Sequence, residues 1–197
     1  MLMRPGQVAL MLETHVKELY AERVIKKCNE SGWDATISVA AQSAKSDSGS
    51  NGGALALARK GRGNRPICTC LDADGKRGRH NDLGGRVTLL GNSEVIVLGA
   101  YFTCGLGLRG QNLDLLSEIE YVTRTGRSPF ILGADFNMTP DEWEAELADW
   151  MKKMKVSVVL PSNSSYTCKG TKTKEGSLID FFLVSHEIAP WVKKVQC

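Results

Sequence analysis

Two polar residues, Asp135 and Asn137, directly follow a short apolar run from Phe130 to Ala134. Such a run is typical of a strand that is buried on both faces. The stretch from Thr139 to Glu142 then has the pattern of a helix start, with a threonine N-cap, a proline at the first helical position and a glutamate that closes a capping box. Asp135 and Asn137 are therefore predicted to lie in a tight loop at the carboxyl end of a buried strand, where open α/β sheets bind ligands. A simple Asx turn ahead of the helix is the alternative.

The association of a polar residue with an apolar run recurs elsewhere in the chain. Glu13 ends the run from Val8 to Leu12, Tyr101 ends another run, and Asp180 lies inside the run from Leu178 to Val184. A carboxylate beside or within a buried strand is costly to desolvate, and a cation or a network of donors offsets that cost. Hard oxygen ligands suit Mg²⁺ or Mn²⁺, so the sequence indicates a divalent-metal site.

The hydrophobic pattern predicts mainly strands, with three helices between them. The predicted helices are Val16 to Asn29, Asn112 to Thr125 and Pro140 to Met154. Strands are predicted at Val8 to Leu12, Trp33 to Ala40, Gly53 to Arg59, Arg86 to Gly91, Glu94 to Phe102, Phe130 to Ala134, Val156 to Leu160, Tyr166 to Cys168 and Leu178 to Val184. The glycine-rich segment from Lys60 to Gly85 is predicted to be mostly loop. Two stacked sheets with helices outside, a four-layer α/β/β/α sandwich in a single domain over residues 1–197, account for this pattern.

The composition is that of an ordinary globular protein, with 197 residues, a formal net charge of +3 and 42% hydrophobic residues. The six cysteines lack the dense, regular spacing of a disulfide scaffold, and they do not form a zinc motif. The sequence shows neither a signal peptide nor an apolar run long enough to cross a membrane. We therefore expect an intracellular protein, nuclear or cytoplasmic, that does not associate with membranes.

Three motifs, taken in order, resemble those of the endonuclease/exonuclease/phosphatase superfamily, whose members have a DNase I-like fold. They are Leu12-Glu13-Thr14-His15, Gly133-Ala134-Asp135-Phe136-Asn137 and Ser177-Leu178-Ile179-Asp180-Phe181-Phe182-Leu183-Val184-Ser185, with an intervening strand at Asn51 to Leu57. The resemblance covers nearly the whole chain and is nearest to the endonuclease domains of retroelements and to abasic-site endonucleases. It implies an Mg²⁺-dependent phosphodiesterase, an endonuclease that hydrolyses the DNA backbone.

The resemblance also implies a role for each candidate residue. Glu13 would ligate the metal, and Asp135 with Asn137 would orient or deprotonate the attacking water and hold the phosphate oxygens. Tyr101 would lie near the phosphate, and Asp180 would orient a catalytic histidine. Two alternatives remain open, in which Glu13 caps the following helix and Tyr101 is a plain strand-end aromatic residue.

Family members carry a catalytic histidine in a Ser-Asp-His motif beyond the position of Asp180, and an asparagine on a strand before the position of Glu13. Neither is found between Met1 and Cys197. We therefore expect the first and last strands of the family fold to be absent from this chain and its activity to be impaired. His186 is expected to be a surface loop residue, and His15 to belong to a helix start.

A basic, glycine-rich segment that includes Arg59, Arg62 and Arg79, together with Lys172 in a second small patch, is predicted to contact DNA phosphates. A solvated loop is the alternative, because aspartates interrupt the segment. We expect DNA as partner, a monomeric state, and a possible fusion to a reverse transcriptase in a longer parent chain. Two other functions stay open: a phosphomonoesterase acting on inositol phosphates or other small molecules, and a catalytically dead nucleic-acid-binding remnant.

Overall fold

The computed structural model describes residues 8–42, 50–60, 65–66, 82–88, 94–162, 166–168 and 176–192. Its contacts divide the chain into two compact units, Met1–Tyr101 and Phe102–Cys197, and each is described by itself. The single domain over residues 1–197 stays a prediction.

The described part of the first unit contains one helix and eight strands. They are β1 (Val8–Leu12), α1 (Glu18–Glu30), β2 (Trp33–Ser38), β3 (Ala41–Gln42), β4 (Ser50–Asn51), β5 (Ala54–Arg59), β6 (Arg65–Pro66), β7 (Asp82–Thr88) and β8 (Glu94–Tyr101). Strand β5 pairs antiparallel with β1 on one side and β2 on the other. Strand β7 pairs antiparallel with both β6 and β8.

Successive side chains of β5 alternate between two buried clusters, one on each face of the β1–β5–β2 sheet. Leu55 and Leu57 form one buried cluster with Ala21 of α1, so this helix covers one face of the β1–β5–β2 sheet. Ala54 and Ala56 form the cluster on the opposite face, together with leucines of β1. A Cβ placed at Gly99 of β8 would lie 3.4 Å from Leu12 and 3.5 Å from Leu10, so β8 packs on that second face. The first unit is therefore layered as helix, sheet and sheet.

The second unit contains α2 (Gln111–Gly126), β9 (Phe130–Asp135), α3 (Pro140–Met154), β10 (Val156–Val159), β11 (Asp180–Ser185) and a 3₁₀ helix (Ala189–Trp191). Strand β11 lies between β9 and β10 and is antiparallel to both. Since β9 and β10 both run opposite to β11, they are parallel to each other. The helices α2 and α3, which precede them, both end at the edge of the sheet where β9 and β10 begin.

An aromatic cluster forms the core of the second unit. Trp143, Phe102, Phe136 and Phe181 are among its largest fully buried side chains. Phe136 stacks on Phe181 with ring centroids 3.9 Å apart and meets Trp143 edge to face at 4.5 Å. The Nε1 atoms of Trp143 and Trp150 are buried without a hydrogen-bond partner among the described residues. Trp143, predicted to lie on the buried face of its helix, is fully buried.

The structure corrects several predicted elements. Strand β9 is not buried evenly on both faces, because buried and half-buried residues alternate along it. Residues 82–85, predicted as loop, are part of β7. Asp180 begins β11 and does not lie inside it, and the strand predicted near Tyr166 is only an isolated bridge between Cys168 and Ser177. In the described residues no helix is both long and apolar enough to span a membrane.

The start of α3 is closed by the predicted capping box. The Thr139 hydroxyl accepts the Glu142 N–H at 3.3 Å, and a Glu142 carboxylate oxygen accepts the Thr139 N–H at 2.8 Å. These bonds to the Thr139 backbone and hydroxyl lower the pKa of Glu142 below its ordinary value of 4.5. A lowered pKa means that Glu142 stabilises the fold above the unfolded-state pKa and loses this contribution as the pH falls through the folded-state pKa.

We expect Thr139→Ala to lower the free energy of unfolding by about 1 kcal/mol at pH 7, since it removes the N-cap acceptor. The loss should be smaller at a pH below the lowered pKa of Glu142, where the protonated side chain no longer completes the box in either protein. Urea unfolding at the two pH values measures both effects, with Thr125→Ala, an exposed threonine of α2, as the matched control. An equal loss at both pH values would contradict the assigned role of Glu142.

Candidate active site

Two predicted site carboxylates lie opposite each other in the second unit. Asp135 is the last residue of β9 and Asp180 is the first residue of β11, and the two are paired across the antiparallel ladder. Side chains of directly opposed residues lie on the same face of a sheet, roughly 5 Å apart at Cβ. Both residues are half-buried. We refer to Asp135, Asn137 and Asp180 together as the carboxylate edge.

Asn137 is held in a left-handed backbone conformation, with φ of 49°. Its N–H donates to Asp135 Oδ1 at 3.0 Å, and its side-chain Nδ2 donates to the carbonyl oxygen of Phe102 at 2.7 Å. The Asx turn considered from the sequence is therefore present. In addition to this turn, the bond to Phe102 fixes the orientation of the Asn137 side-chain amide. Non-glycine residues with a left-handed backbone conformation are concentrated at functional sites.

Hydrogen bonds to backbone groups join two further segments, those of Phe102 and Thr167, to this edge and connect its own two strands. Phe102 donates its N–H to the carbonyl of Asp135, and Phe136 donates its N–H to the carbonyl of Ile179, each at 2.8 Å. The Thr167 hydroxyl accepts the N–H groups of Ile179 at 3.1 Å and Asp180 at 3.0 Å. The backbone at Asp135 and Asp180 is therefore held by hydrogen bonds that do not involve the carboxylates.

Sequence reasoning missed two residues that support the carboxylate edge, Thr167 and Asn112. Asn112 is buried, and its side chain accepts the Thr103 N–H at 2.7 Å and donates to the carbonyls of Thr103 and Gly107. It thereby ties the loop that follows Phe102 to the first turn of α2. An asparagine near the start of an amphipathic helix was the available signal, but the same signal marks an ordinary helix cap.

Glu13 follows β1 in the first unit, in a loop of unusual backbone geometry. Glu13 and His15 both have positive φ, at 51° and 53°. The loop is held by bonds from the Thr14 N–H to the Gly53 carbonyl at 3.1 Å and from the His15 N–H to the Gly52 carbonyl at 3.0 Å. The Thr14 hydroxyl is buried without a partner among the described residues. A strained and tethered loop of this kind fixes the place from which Glu13 projects.

Two expectations about this region were wrong, and one alternative is excluded. His15 does not belong to the helix start, since α1 begins at Glu18. Glu13 does not cap that helix either, because the N-cap is Lys17 and no side chain makes a cap bond. The desolvation argument also fails as stated, because Glu13 is exposed and the other two carboxylates are only half-buried.

We expect Gly53→Ala to destabilise the protein by about 1 to 3 kcal/mol more than Gly32→Ala, because added core volume forces the backbone to shift. Both glycines have similar φ, at 86° and 84°, so the conformational cost of a Cβ is matched. A Cβ at Gly53 would lie 2.9 Å from Thr14 Oγ1 and 3.1 Å from the Ala40 nitrogen, whereas one at Gly32 meets nothing within 4 Å. Paired denaturant titrations measure the difference, and equal losses would show that the loop yields freely.

The remaining predicted residues are distributed as follows. Tyr101 ends β8, is half-buried and makes at least one polar or ring interaction. The guanidinium of Arg59 lies over the Trp33 ring, 4.7 Å from its centroid. His186 is an exposed turn residue, as expected, and its N–H donates to the Lys155 carbonyl. The predicted nucleic-acid-binding residues Arg62, Arg79 and Lys172 lie outside the described residues.

Glu13 has the chemistry of a ligand for a hard cation. Its carboxylate makes no hydrogen bond or ion pair to any described residue, so both oxygens are available to a ligand. In the described part of the chain, three or more His, Cys, Asp or Glu side chains are nowhere grouped to hold a metal. Magnesium suits such a sparse site, since it keeps several waters and binds through one or two carboxylates together with substrate phosphates.

A family model described as endonuclease-reverse transcriptase matches residues 96–196, which include Tyr101, Asp135, Asn137 and Asp180. The search of curated proteins found no match.

Solved structures share the fold at low sequence identity. The catalytic domain of human Nocturnin is 15% identical with a TM-score of 0.62, over 91% of this chain and 69% of that one. A mannosyl-6-phosphatase of Bacteroides thetaiotaomicron is 13% identical with a TM-score of 0.55, over 91% and 71%. TDP2 of D. rerio, complexed with a single-strand DNA product, is 17% identical with a TM-score of 0.54, over 93% and 73%. These likenesses confirm the predicted DNase I-like α/β fold.

Proposed function

Because this chain belongs to the endonuclease-reverse transcriptase family, within the endonuclease/exonuclease/phosphatase superfamily, we propose that it is a divalent-metal-dependent phosphodiesterase that cleaves the DNA backbone. The observation that carries this proposal is the carboxylate edge, where Asp135 faces Asp180 and Asn137 is locked beside them. Two neighbouring carboxylates and a fixed amide are suited to activating water next to an anionic ester.

Each residue of the carboxylate edge has a distinct role in this proposal. Asp135 accepts a proton from the attacking water. Asn137 has one amide hydrogen donated to Phe102, and its second amide hydrogen can be donated to a phosphate oxygen without adding a charge that repels the substrate. Asp180 positions the polar groups around Asp135, and the Thr167 hydroxyl holds the backbone of Asp180.

Glu13 is the residue that would hold Mg²⁺ or Mn²⁺ in this proposal. The bound cation would stabilise the negative charge that develops on the phosphate. The Gly52 and Gly53 carbonyls fix the main chain of the loop that carries Glu13. Tyr101 contributes a phenol near the substrate in this scheme.

A phosphomonoesterase of the same fold is the second candidate, and the Bacteroides thetaiotaomicron neighbour, a mannosyl-6-phosphatase, favours it. The family model and the single-strand DNA product bound to D. rerio TDP2 favour a nucleic-acid substrate. We place the DNA phosphodiester first because the basic segment that includes Arg59, Arg62 and Arg79, with Lys172, would contact a polyanion along its length. A monomeric state and a parent protein that also carries a reverse transcriptase are further predictions.

The proposal is tested by measuring the activity of the 197-residue chain on three substrates under three metal conditions. Supercoiled plasmid, duplex DNA with an abasic site and a sugar phosphate are each incubated with Mg²⁺, Mn²⁺ or EDTA. Nicking of DNA that needs the metal and exceeds sugar-phosphate hydrolysis supports the phosphodiesterase. Release of phosphate from the sugar phosphate that is faster than nicking of DNA would favour the phosphomonoesterase. A folded protein with neither activity would favour the catalytically dead nucleic-acid-binding remnant.

The role of Glu13 is tested separately by metal binding. Glu13→Gln keeps the size of the side chain and removes its charge, so we expect Mn²⁺ binding, followed by electron paramagnetic resonance or thermal shift, to weaken about tenfold or more. Asp149→Asn, at an exposed position of α3, is the matched control and should bind as the parent does. Unchanged Mn²⁺ affinity in Glu13→Gln would remove Glu13 from the metal site.

A further inference from the structure

The second unit carries a surface depression that shares no residue with the carboxylate edge. Its volume is about 590 Å³, and its lining is Ser117, Glu120, Tyr121, Arg124, Thr125 and Arg127. The last three turns of α2 and the residue that ends the helix therefore form it. A volume of this size is within the range of small-molecule and cofactor sites.

The charge around this depression is positive. Among the described residues that line it, Glu120 is the only acidic one, and its Oε1 is bound by Arg124 at 2.9 Å and by Lys153 of α3 at 2.6 Å. The hydrogen bond from Lys153, followed by that from Arg124, lowers the pKa of Glu120. The carboxylate is therefore ionised at neutral pH and is already matched by two cations, whose side chains remain 62% and 55% exposed.

Further cations lie in the chain near the ends of α2 and α3. We call the set formed by the following residues the basic edge: Arg124, Arg127, Lys152, Lys153 and Lys155. It lies where β9 begins, because α2 leads into that strand, whereas Asp135 lies where β9 ends. Phe130 and Asp135, at the two ends of β9, are five residue steps or about 17 Å apart.

Two members of the basic edge occupy a backbone conformation that glycine usually takes. Arg127 ends α2 with φ of 50° and ψ of 22°, and Lys155 ends α3 with φ of 52° and ψ of 55°. Glycine or asparagine is the ordinary choice there, because a Cβ in this region costs free energy. Gly126 precedes Arg127, yet the helix continues through the glycine and places the arginine at the strained position.

The helix dipole explains only part of this arrangement. Cations near a helix C-terminus are favoured by the partial negative charge of its last carbonyls, which accounts for Arg124, Lys152 and Lys153. Arg127 is different, since no carboxylate in the described ranges lies within salt-bridge distance of it, while its conformation is costly. A guanidinium kept at such a position is available to an anion that comes from outside the chain.

An exposed aromatic ring adjoins these guanidinium groups. Tyr121 is 62% exposed, and no other ring stacks on it in the part of the chain that the structure describes. It lies one turn before Arg124 and Thr125 on the same face of α2, so a planar group on its ring would be next to both arginines. Stacking on an aromatic side chain combined with cationic contacts to phosphates is how proteins hold single strands of nucleic acid.

We propose that the depression and the basic edge form a second nucleic-acid site, which binds a single strand with a base on Tyr121 and its phosphates on Arg124 and Arg127. A free phosphate would contact the arginines but not the tyrosine ring. A nucleotide would contact both, because its base can stack on Tyr121 while its phosphate binds Arg124 and Arg127. The site does not depend on the hydrolysis proposed for the carboxylate edge.

Fluorescence anisotropy of a labelled oligothymidylate tests this proposal in EDTA, where no cleavage occurs. An oligonucleotide of about 12 nucleotides is within the usual range of single-strand sites. We expect Tyr121→Ala to weaken binding about tenfold and Tyr121→Phe to leave it within about twofold. Arg127→Gly should weaken binding and reduce the slope of log affinity against log salt by about 0.7. It should also fold at least as stably as the parent, because glycine relieves the strained φ.

The controls separate this site from general charge and from catalysis. Arg23→Ala removes an exposed arginine of α1 and should leave binding unchanged. The same measurements in an Asp135→Asn background should show the same losses of affinity, because binding at this site does not require the proton acceptor proposed for catalysis. Unchanged affinity in both Tyr121→Ala and Arg127→Gly overturns the proposal. The proposal would also be overturned if Arg127→Gly lost affinity, Tyr121→Ala kept it, and the protein bound heparin as tightly as the oligothymidylate. That result would indicate a surface that binds polyanions in general.

Discussion

We expect replacement of Asp135 by asparagine to lower the rate of the proposed metal-dependent DNA cleavage by about 10² to 10⁴-fold, the usual contribution of a positioned acid or base. The physical reason is that the amide cannot accept the proton of the attacking water. The substitution is nearly isosteric, and an amide oxygen can still accept the Asn137 N–H that Asp135 Oδ1 accepts at 3.0 Å. The loop should therefore keep its geometry, and only the ability of residue 135 to accept a proton should be lost. Rates of plasmid nicking at saturating Mg²⁺ measure the effect.

Stability provides the control for this variant. Because Asp135 faces Asp180 across the ladder, removing one of two opposed carboxylates also removes a like-charge repulsion, and we expect the free energy of unfolding to stay within about 1 kcal/mol of the parent. Asp149→Asn should keep both stability and rate. An Asp135→Asn protein that nicks DNA at the parent rate would show that another group activates the water.

Replacement of Phe136 by alanine lowers the free energy of unfolding by about 3 to 5 kcal/mol, the range for truncation of a buried phenylalanine. Phe136 is fully buried and contacts three other rings, those of Phe102, Phe181 and Trp143. The truncation leaves a cavity among rigid rings that cannot close around it. For a chain of this length the loss corresponds to a melting temperature lower by about 10 °C or more.

The consequence of this cavity should extend to function, because Phe136 stands between Asp135 and Asn137 in the chain. We expect the folded fraction of Phe136→Ala, assayed below its melting temperature, to cleave more slowly than the parent. Tyr121→Ala is the matched control, since the same truncation at an exposed ring should change stability by no more than about 0.5 kcal/mol. A melting temperature of Phe136→Ala equal to that of the control would show that the cluster does not support the fold.

Features that depend on neighbouring residues were predicted well from the sequence. Helix α3 begins and ends at the predicted residues, and its Thr139–Glu142 capping box is present. The burial of Trp143 followed from helical periodicity, and the motifs around Asp135 and Asp180 indicated the fold that solved structures share. Caps and amphipathic faces are encoded within a few residues, so a single segment of sequence is enough to recognise them.

Features that depend on distant pairings were not predicted. The interpretation of β9 as a strand buried on both faces was wrong because burial depends on which elements cover each face. The basic, glycine-rich segment was predicted as loop up to Gly85, although β7 begins at Asp82, since its pairing with β8 supplies the stability that its own propensity lacks. The left-handed conformation of Glu13 was not predicted either, because residues other than glycine, asparagine, aspartate and histidine adopt it rarely.

The amino-acid sequence by itself determined which side chains are available for chemistry and which short elements end at them. Only the tertiary structure decided that Asp180 lies opposite Asp135, that Phe102 orients the Asn137 amide, and that Arg127 and Tyr121 border one depression. The physical reason is that strand register and side-chain orientation arise from contacts between segments far apart in the chain, and a one-residue change of register would turn the carboxylate of Asp180 to the other face of the sheet.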